Sequence, residues 1–231
     1  VLINTAYFIL FSKFSFLKPK KAVATESFPI SVIVCAKNEA ENLKANIPHW
    51  LAQDYPNFEL ILIDDASSDD TKEVIESFAK DHENIHTVII ENNETFWSNK
   101  KYSMTLGIKR AYNKRMIFTD ADCRPASKDW IKLMTASLDK ETQLVLGYGA
   151  YEQRKGLLNA LIRYETMMTA VQYFSYSEVG MPYMGVGRNL AYTSHLFYDN
   201  RGFMSHMNVA SGDDDLFVNE AANKENTVIC F

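Results

Sequence analysis

Leu60-Ile61-Leu62-Ile63-Asp64-Asp65-Ala66-Ser67-Ser68-Asp69-Asp70-Thr71 is an apolar run that stops on a pair of acids and continues into short polar side chains. The run reads as a buried strand over 59–63. Asp65, Ser67 and Ser68 each offer a side-chain oxygen to the N-terminus of a helix extending to about residue 79. A strand that ends in carboxylates and feeds a helix is half of a parallel βαβ unit. In an open sheet of such units, ligands bind beyond the carboxyl ends of the strands.

The chain around this segment repeats the pattern. Ile30-Ser31-Val32-Ile33-Val34-Cys35-Ala36 is rich in β-branched residues and reads as a strand. Helical spacing follows over 42–53, with Leu43, Ile47, Trp50 and Leu51 on one face. Further strands are expected over 85–90, 115–119 and 142–147, with helices over 100–111 and from Ser127 to about residue 138. The alternation predicts an α/β fold with a mostly parallel central sheet and helices on both faces. The rhythm then changes to a long Met- and Tyr-rich helix from Leu157 to about residue 176. A Gly-rich segment at 184–189, a short helix and an irregular stretch lead to Asp213-Asp214-Asp215. Residues 227–231 read as a final strand.

The 231 residues suit one α/β domain with an appendage. A net charge of −5 spread along the chain argues against a general nucleic-acid binder. Three cysteines, Cys35, Cys123 and Cys230, are too few and too scattered for a disulfide framework, which favours a reducing compartment. No Cys/His spacing fits zinc, and the five histidines have no ligand pattern.

Asp120-Ala121-Asp122 lies just past the apolar Met116-Ile117-Phe118. Two carboxylates one residue apart can address one hard cation, Mg²⁺ or Mn²⁺, whose remaining positions go to phosphate and water. The plainer reading is a capping acid beside a solvated one. Asp65 at its strand tip can accept from a ribose or a base N–H. The 35–39 loop lacks both the glycines of a dinucleotide fingerprint and a phosphate-binding P-loop. In Gly212-Asp213-Asp214-Asp215-Leu216, acids suit a helix N-terminus electrostatically. One of the three could instead act as a general base. Gly185-Val186-Gly187-Arg188-Asn189 is either a tight turn or a close approach of backbone to ligand, with Arg188 free to meet an anion.

Taken in order, these elements resemble the inverting glycosyltransferase family 2 of the GT-A fold group. Residues 31–39 resemble its opening strand and loop, with Cys35 and Lys37 at positions where the family carries Pro and Tyr. The quoted segment through Thr71 resembles I-[IL]-V-D-D-G-S-x-D-x-T. Lys100 through Ile108 resembles K-x-x-A-L-N-x-G-I, preceded by Asn99 where the family has Gly. Phe118 through Pro125 resembles the D-x-D strand end, and Gly212 through Leu216 the element that carries the base.

The resemblance covers about 30–225 and implies a Rossmann-like GT-A domain over 30–231. It implies single-displacement transfer of a sugar, with inversion, from a nucleotide-sugar donor (a UDP-sugar) to a glycan or lipid-linked acceptor. Cys35, Ala36, Glu39 and Asp65 would hold the nucleoside and Lys100 would stand near the donor. Asp120 and Asp122 would hold Mg²⁺ or Mn²⁺ on the diphosphate. Either Asp213 or Asp214 would be the base. Counting back from Leu216 favours Asp213, while a literal Gly-Asp-Asp reading favours Asp214. Two alternatives stay open: a nucleotidyltransferase, and a silent module that only binds nucleotide sugars. The Gln-x-x-Arg-Trp of processive membrane relatives is absent.

Residues 1–29 form a separate segment. Apolar and aromatic residues through Phe16 are followed by Lys18-Pro19-Lys20-Lys21. This suits either an amphipathic helix on the domain or a membrane-proximal piece with a positive-inside flank. The second reading puts the domain on the cytoplasmic face of a membrane. Residue 1 is Val and the last strand has no closing turn, as expected of a piece of a longer protein.

Overall fold

The structure, a computed structural model, describes residues 1–18, 28–91, 100–136, 138 and 141–231. The described residues form a seven-stranded sheet ordered β3-β2-β1-β4-β6-β5-β7. The strands are β1 Ile30–Ala36, β2 Phe58–Asp65, β3 Ile85–Ile90, β4 Arg115–Asp120, β5 Leu144–Gly147, β6 Leu190–Thr193 and β7 Thr227–Cys230. The helices are α1 Leu2–Ser15, α2 Ala40–Leu51, α3 Thr71–Asp81, α4 Lys100–Arg110, α5 Trp130–Thr135, α6 Leu157–Glu178, α7 Ser194–Asp199 and α8 Asp215–Ala221. Lys20 and Lys21 of the basic flank, and Asn99, lie outside the described residues.

The expected mostly parallel sheet is present. β1 pairs in parallel with β2 on one side and with β4 on the other, and β2 pairs in parallel with β3. Both faces of β1, β2 and β4 are covered, which is why their centres read as apolar runs. Ile30, Val32 and Val34 face one core with Leu43, Ile47 and Trp50 of α2. Ile33, Ile61 and Ile63 face the other, with Met104 and Ile108 of α4 and Phe174 of α6. Truncating any one of the fully buried aliphatics to Ala would cost about 2–5 kcal/mol. Gly107 lets α4 lie flat on the sheet, since a Cβ there would stand 2.3 Å from Ile63 Cδ1.

One strand escapes the sequence reading. β6 runs antiparallel between β4 and β5, pairing Met116 with Tyr192 and Leu144 with Tyr192 from opposite sides. Four residues leading directly into a helix carry no periodic signal, and β6 exists because two distant strands offer it ladders. α5 is also shorter than expected. Its N-cap is Asp129, and Ser127 Oγ accepts only the Asp129 N–H at 3.2 Å.

The order of the strands fixes the crevice. From β1 the chain moves outward to β2 and β3, then returns to the other side of β1 as β4. That reversal is a topological switch point, where the two loops diverge and leave a cleft. The register brings Cys35 opposite Asp120 and Ala36 opposite Asp64 at its floor.

Candidate active site

The loops after β1 and β2 are knitted together. Asn38, at φ 58°, donates its N–H to Ser67 Oγ at 2.9 Å, and its side-chain oxygen accepts the Ser68 N–H at 2.8 Å. The Glu39 N–H reaches Thr71 Oγ1 at 2.8 Å and the Ala40 N–H reaches Asp69 Oδ2 at 3.2 Å. The capping chemistry expected for α3 thus serves both helices: Asp69 Oδ1 accepts the Thr71 N–H of α3 at 3.1 Å, while Asp69 Oδ2 and Thr71 Oγ1 take the N–H groups at the start of α2. The physical reason is the parallel pairing of β1 and β2, which sets the two loops side by side. Asp64 is buried and accepts the Ser67 N–H at 3.1 Å, so it shapes the turn. Asp65, the last residue of β2, accepts a hydrogen bond from Ser103 Oγ of α4. Ser103 stands where the family pattern carries Ala, and nothing in its spacing marks it beforehand.

Lys100 joins two of the acidic clusters. Its Nζ lies 2.9 Å from Asp120 Oδ1 and 3.2 Å from Asp213 Oδ2. Burial works against the Lys100 ammonium, but Asp120 and Asp213 outweigh it and hold the pKa above the ordinary lysine range. Cys35 lies in the same field. Burial first, then the Asp65 charge, pushes its thiol up to about 12, so it keeps its proton. The crevice is lined by Lys100, Asp120, Gly187, Tyr192, Asp213 and Asp214.

The three adjacent acids separate in space. Asp214 is the N-cap of α8: its Oδ1 takes the Asp215 N–H at 2.8 Å and its Oδ2 the Gly187 N–H at 2.6 Å. Asp215 occupies the first turn, where its Oδ1 accepts from Leu216 N–H. Asp213 is left to face Lys100, with its side chain 14% exposed. The Gly-rich segment therefore meets a carboxylate of its own chain. Arg188 is also committed to the chain, with Nε on the Gly149 carbonyl at 2.8 Å and its guanidinium over the Tyr151 ring. Its carbonyl accepts from Thr119 Oγ1 at 3.0 Å, which ties the segment to the end of β4.

Asp120, Asp122 and Cys123 each offer a ligand atom within 4.8 Å of the others. The donor set suits a hard divalent cation. Asp122 is exposed and its carboxylate accepts from the Cys123 thiol at 3.2 Å. Burial first, then the hydrogen bond to Asp122, pushes that thiol up to about 12.

A sheet with this reversal, with acids from three elements converging over β1 and β4, defines the GT-A class of α/β fold. The chain belongs to glycosyl transferase family 2, whose model matches residues 31–194. The glycosyltransferase AglE of Haloferax volcanii is 25% identical over 177 residues, covering 75% of this chain and 53% of AglE. The chain thus spans about half the length of this relative. The mannosyltransferase PcManGT of Pyrobaculum calidifontis, solved with GDP-Man and Mn²⁺, superposes with a TM-score of 0.71 at 19% identity, covering 98% of this chain and 63% of that one. TarS of S. aureus, solved with UDP-GlcNAc, gives 0.61 at 19% identity over 87% of this chain and 55% of that one.

Proposed function

We propose that the protein transfers a sugar from a nucleotide-sugar donor, a UDP-sugar, to an acceptor hydroxyl by single displacement with inversion. The observation that carries this reading is the convergence of Asp120 and Asp213 on the one ammonium of Lys100. Two carboxylates remote in sequence meet at one ammonium, which supports a shared site in which one serves the leaving group and the other the acceptor.

In this reading the 35–39 loop and Asp65 bind the nucleoside, and Ser103 fixes the rotamer of Asp65. Asp120 and Asp122 would hold Mg²⁺ or Mn²⁺, which when bound neutralises charge on the leaving diphosphate. Lys100 adds a second positive charge beside Asp120. Asp213 takes the proton of the acceptor hydroxyl, because the Asp214 oxygens are already engaged by backbone N–H groups. GDP-Man and UDP-GlcNAc bound to the two structural neighbours support a nucleotide-sugar donor, and Mn²⁺ in one of them supports the metal.

The acceptor is proposed to be a glycan or a lipid-linked sugar, with the domain on the cytoplasmic face of a membrane. Support comes from α1 and the first turns of α6, which expose Leu2, Ile3, Phe8, Leu157, Leu158 and Leu161. Phe14 of α1 packs on Phe174 of α6 at 5.7 Å, so the two helices share one side of the domain. Among the described residues no helix is long and apolar enough to cross a membrane. Flotation with vesicles of anionic lipid tests the placement. Binding that survives Leu157→Asp/Leu161→Asp would overturn this placement.

The activity is tested by incubating the protein with a panel of nucleotide sugars, GDP-Man and UDP-GlcNAc among them, with Mn²⁺ and following nucleotide release. Release of nucleoside diphosphate is expected. Pyrophosphate formation from a sugar phosphate and a nucleoside triphosphate would establish a nucleotidyltransferase instead, and binding without turnover a silent module.

A further inference from the structure

Lys101 has no exposed surface, and its ammonium contacts backbone only. Nζ donates to the carbonyls of His206 at 2.7 Å, Val209 at 2.9 Å and Ser211 at 2.7 Å. An ammonium has three donors and no acceptor, so the group is saturated. A buried cation is costly unless fully hydrogen-bonded, and three carbonyls from one short segment can meet Nζ only if that segment curls around it. The segment ends at Gly212, whose φ of +86° turns the chain and whose Cβ, if present, would stand 2.6 Å from Leu216. Asp213 follows immediately.

We propose that Lys101 is a positioning residue for Asp213. Consecutive residues of α4 then divide the task. Lys100 reaches into the crevice to Asp120 and Asp213, while Lys101 reaches into the interior and clamps the strap that delivers Asp213. Both ends of the reacting geometry are referred to one helix start. Among the described residues the nucleoside side is built from the loops after β1 and β2, with Ser103 of α4 on Asp65. Removing the clamp therefore affects delivery of the carboxylate and spares nucleotide binding. This inference rests on Asp213 being the base.

The test is a double-mutant cycle between Lys101→Met and Asp213→Asn, with UDP and GDP affinity in Mn²⁺ measured by calorimetry. Nucleotide release is followed on whichever panel donor the wild type turns over. Lys101→Met is expected to keep nucleotide affinity and donor KM within about twofold while kcat falls about 10²-fold, a share of what a positioned base supplies. The double variant is expected to be no slower than Asp213→Asn alone. Amide exchange should rise in residues 207–211 and stay unchanged in β1 and β2. If Lys101→Met does not fold, Lys101→Gln, which keeps two N–H donors, replaces it and should lose less activity. A Lys101 variant with full kcat beside an inactive Asp213→Asn would overturn the clamp and leave the base reading intact. Additive losses in the double variant would also overturn it. An active Asp213→Asn would remove the base reading and this inference with it.

Discussion

The Asp214 carboxylate accepts the Gly187 N–H at 2.6 Å while its other oxygen caps α8. One side chain thus joins the Gly-rich segment before β6 to the helix after the acidic cluster. Neighbouring Asp213 has no such backbone engagement and faces Lys100.

The two aspartates should therefore fail differently. Asp214→Ala loses a helix cap and leaves the part-buried Gly187 N–H unpaired, at a cost of about 1–2 kcal/mol. A lower urea midpoint with unchanged m is the expected signature. Asp213→Asn should keep the midpoint and lose about 10²–10⁴-fold in turnover. Full turnover in Asp213→Asn together with an inactive, stably folded Asp214→Asn would transfer the base role to Asp214.

Asp122 is exposed and adjoins Asp120, with oxygen donors available to a hard cation. Asp122→Asn should weaken Mn²⁺ binding by more than about tenfold, because a neutral amide oxygen replaces a charged ligand. Calorimetric titration with Mn²⁺ reads this directly, and metal-dependent turnover should vanish. Unchanged Mn²⁺ affinity would show that the cation is held elsewhere.

Ser103 holds Asp65 by a hydrogen bond between α4 and the tip of β2. Ser103→Ala should fold normally. It should weaken UDP or GDP binding about three- to tenfold, the size of one net hydrogen bond to a charged group expressed through orientation. Nucleotide affinity equal to wild type would show that Asp65 needs no such support.

Cys35 carries a thiol raised from 9.0 to about 12, by burial first and by Asp65 next. A folded-state pKa above the unfolded one gives stability that is complete below pH 9. Above that the unfolded chain releases the proton first, and stability falls as the pH climbs toward 12. The urea midpoint should thus decline between pH 9 and 11, and decline less steeply in Cys35→Ala. Parallel slopes would place the alkaline sensitivity in other groups.

Much of the fold was legible in local pattern. Residues 30–36 and 85–90 read as strands with the bounds they have; for 30–36 the reason is burial on both faces, which keeps the run mostly apolar. The acids that end β2 and β4 are legible too, since a sharp break from apolar to charged marks a strand end. β6 was not legible, because its four residues take their ladders from Arg115–Asp120 and Leu144–Gly147, far away in sequence. The same holds for the capping groups. Local pattern shows this polar segment only as the start of α3, whereas parallel neighbours also bring Asp69 and Thr71 to the N–H groups of Ala40 and Glu39.

The sequence by itself determined an alternating α/β chain with carboxylates at the strand ends, since periodicity and composition act over a few residues. Tertiary structure alone decided the partner of each acid. Asp213 and Asp214 are adjacent and chemically identical, and only the approach of α4 and the Gly-rich segment gives one an ammonium and the other a backbone N–H. Lys100 and Lys101 are likewise adjacent and identical. About 100° of helical rotation sends one to the crevice and the other to three buried carbonyls.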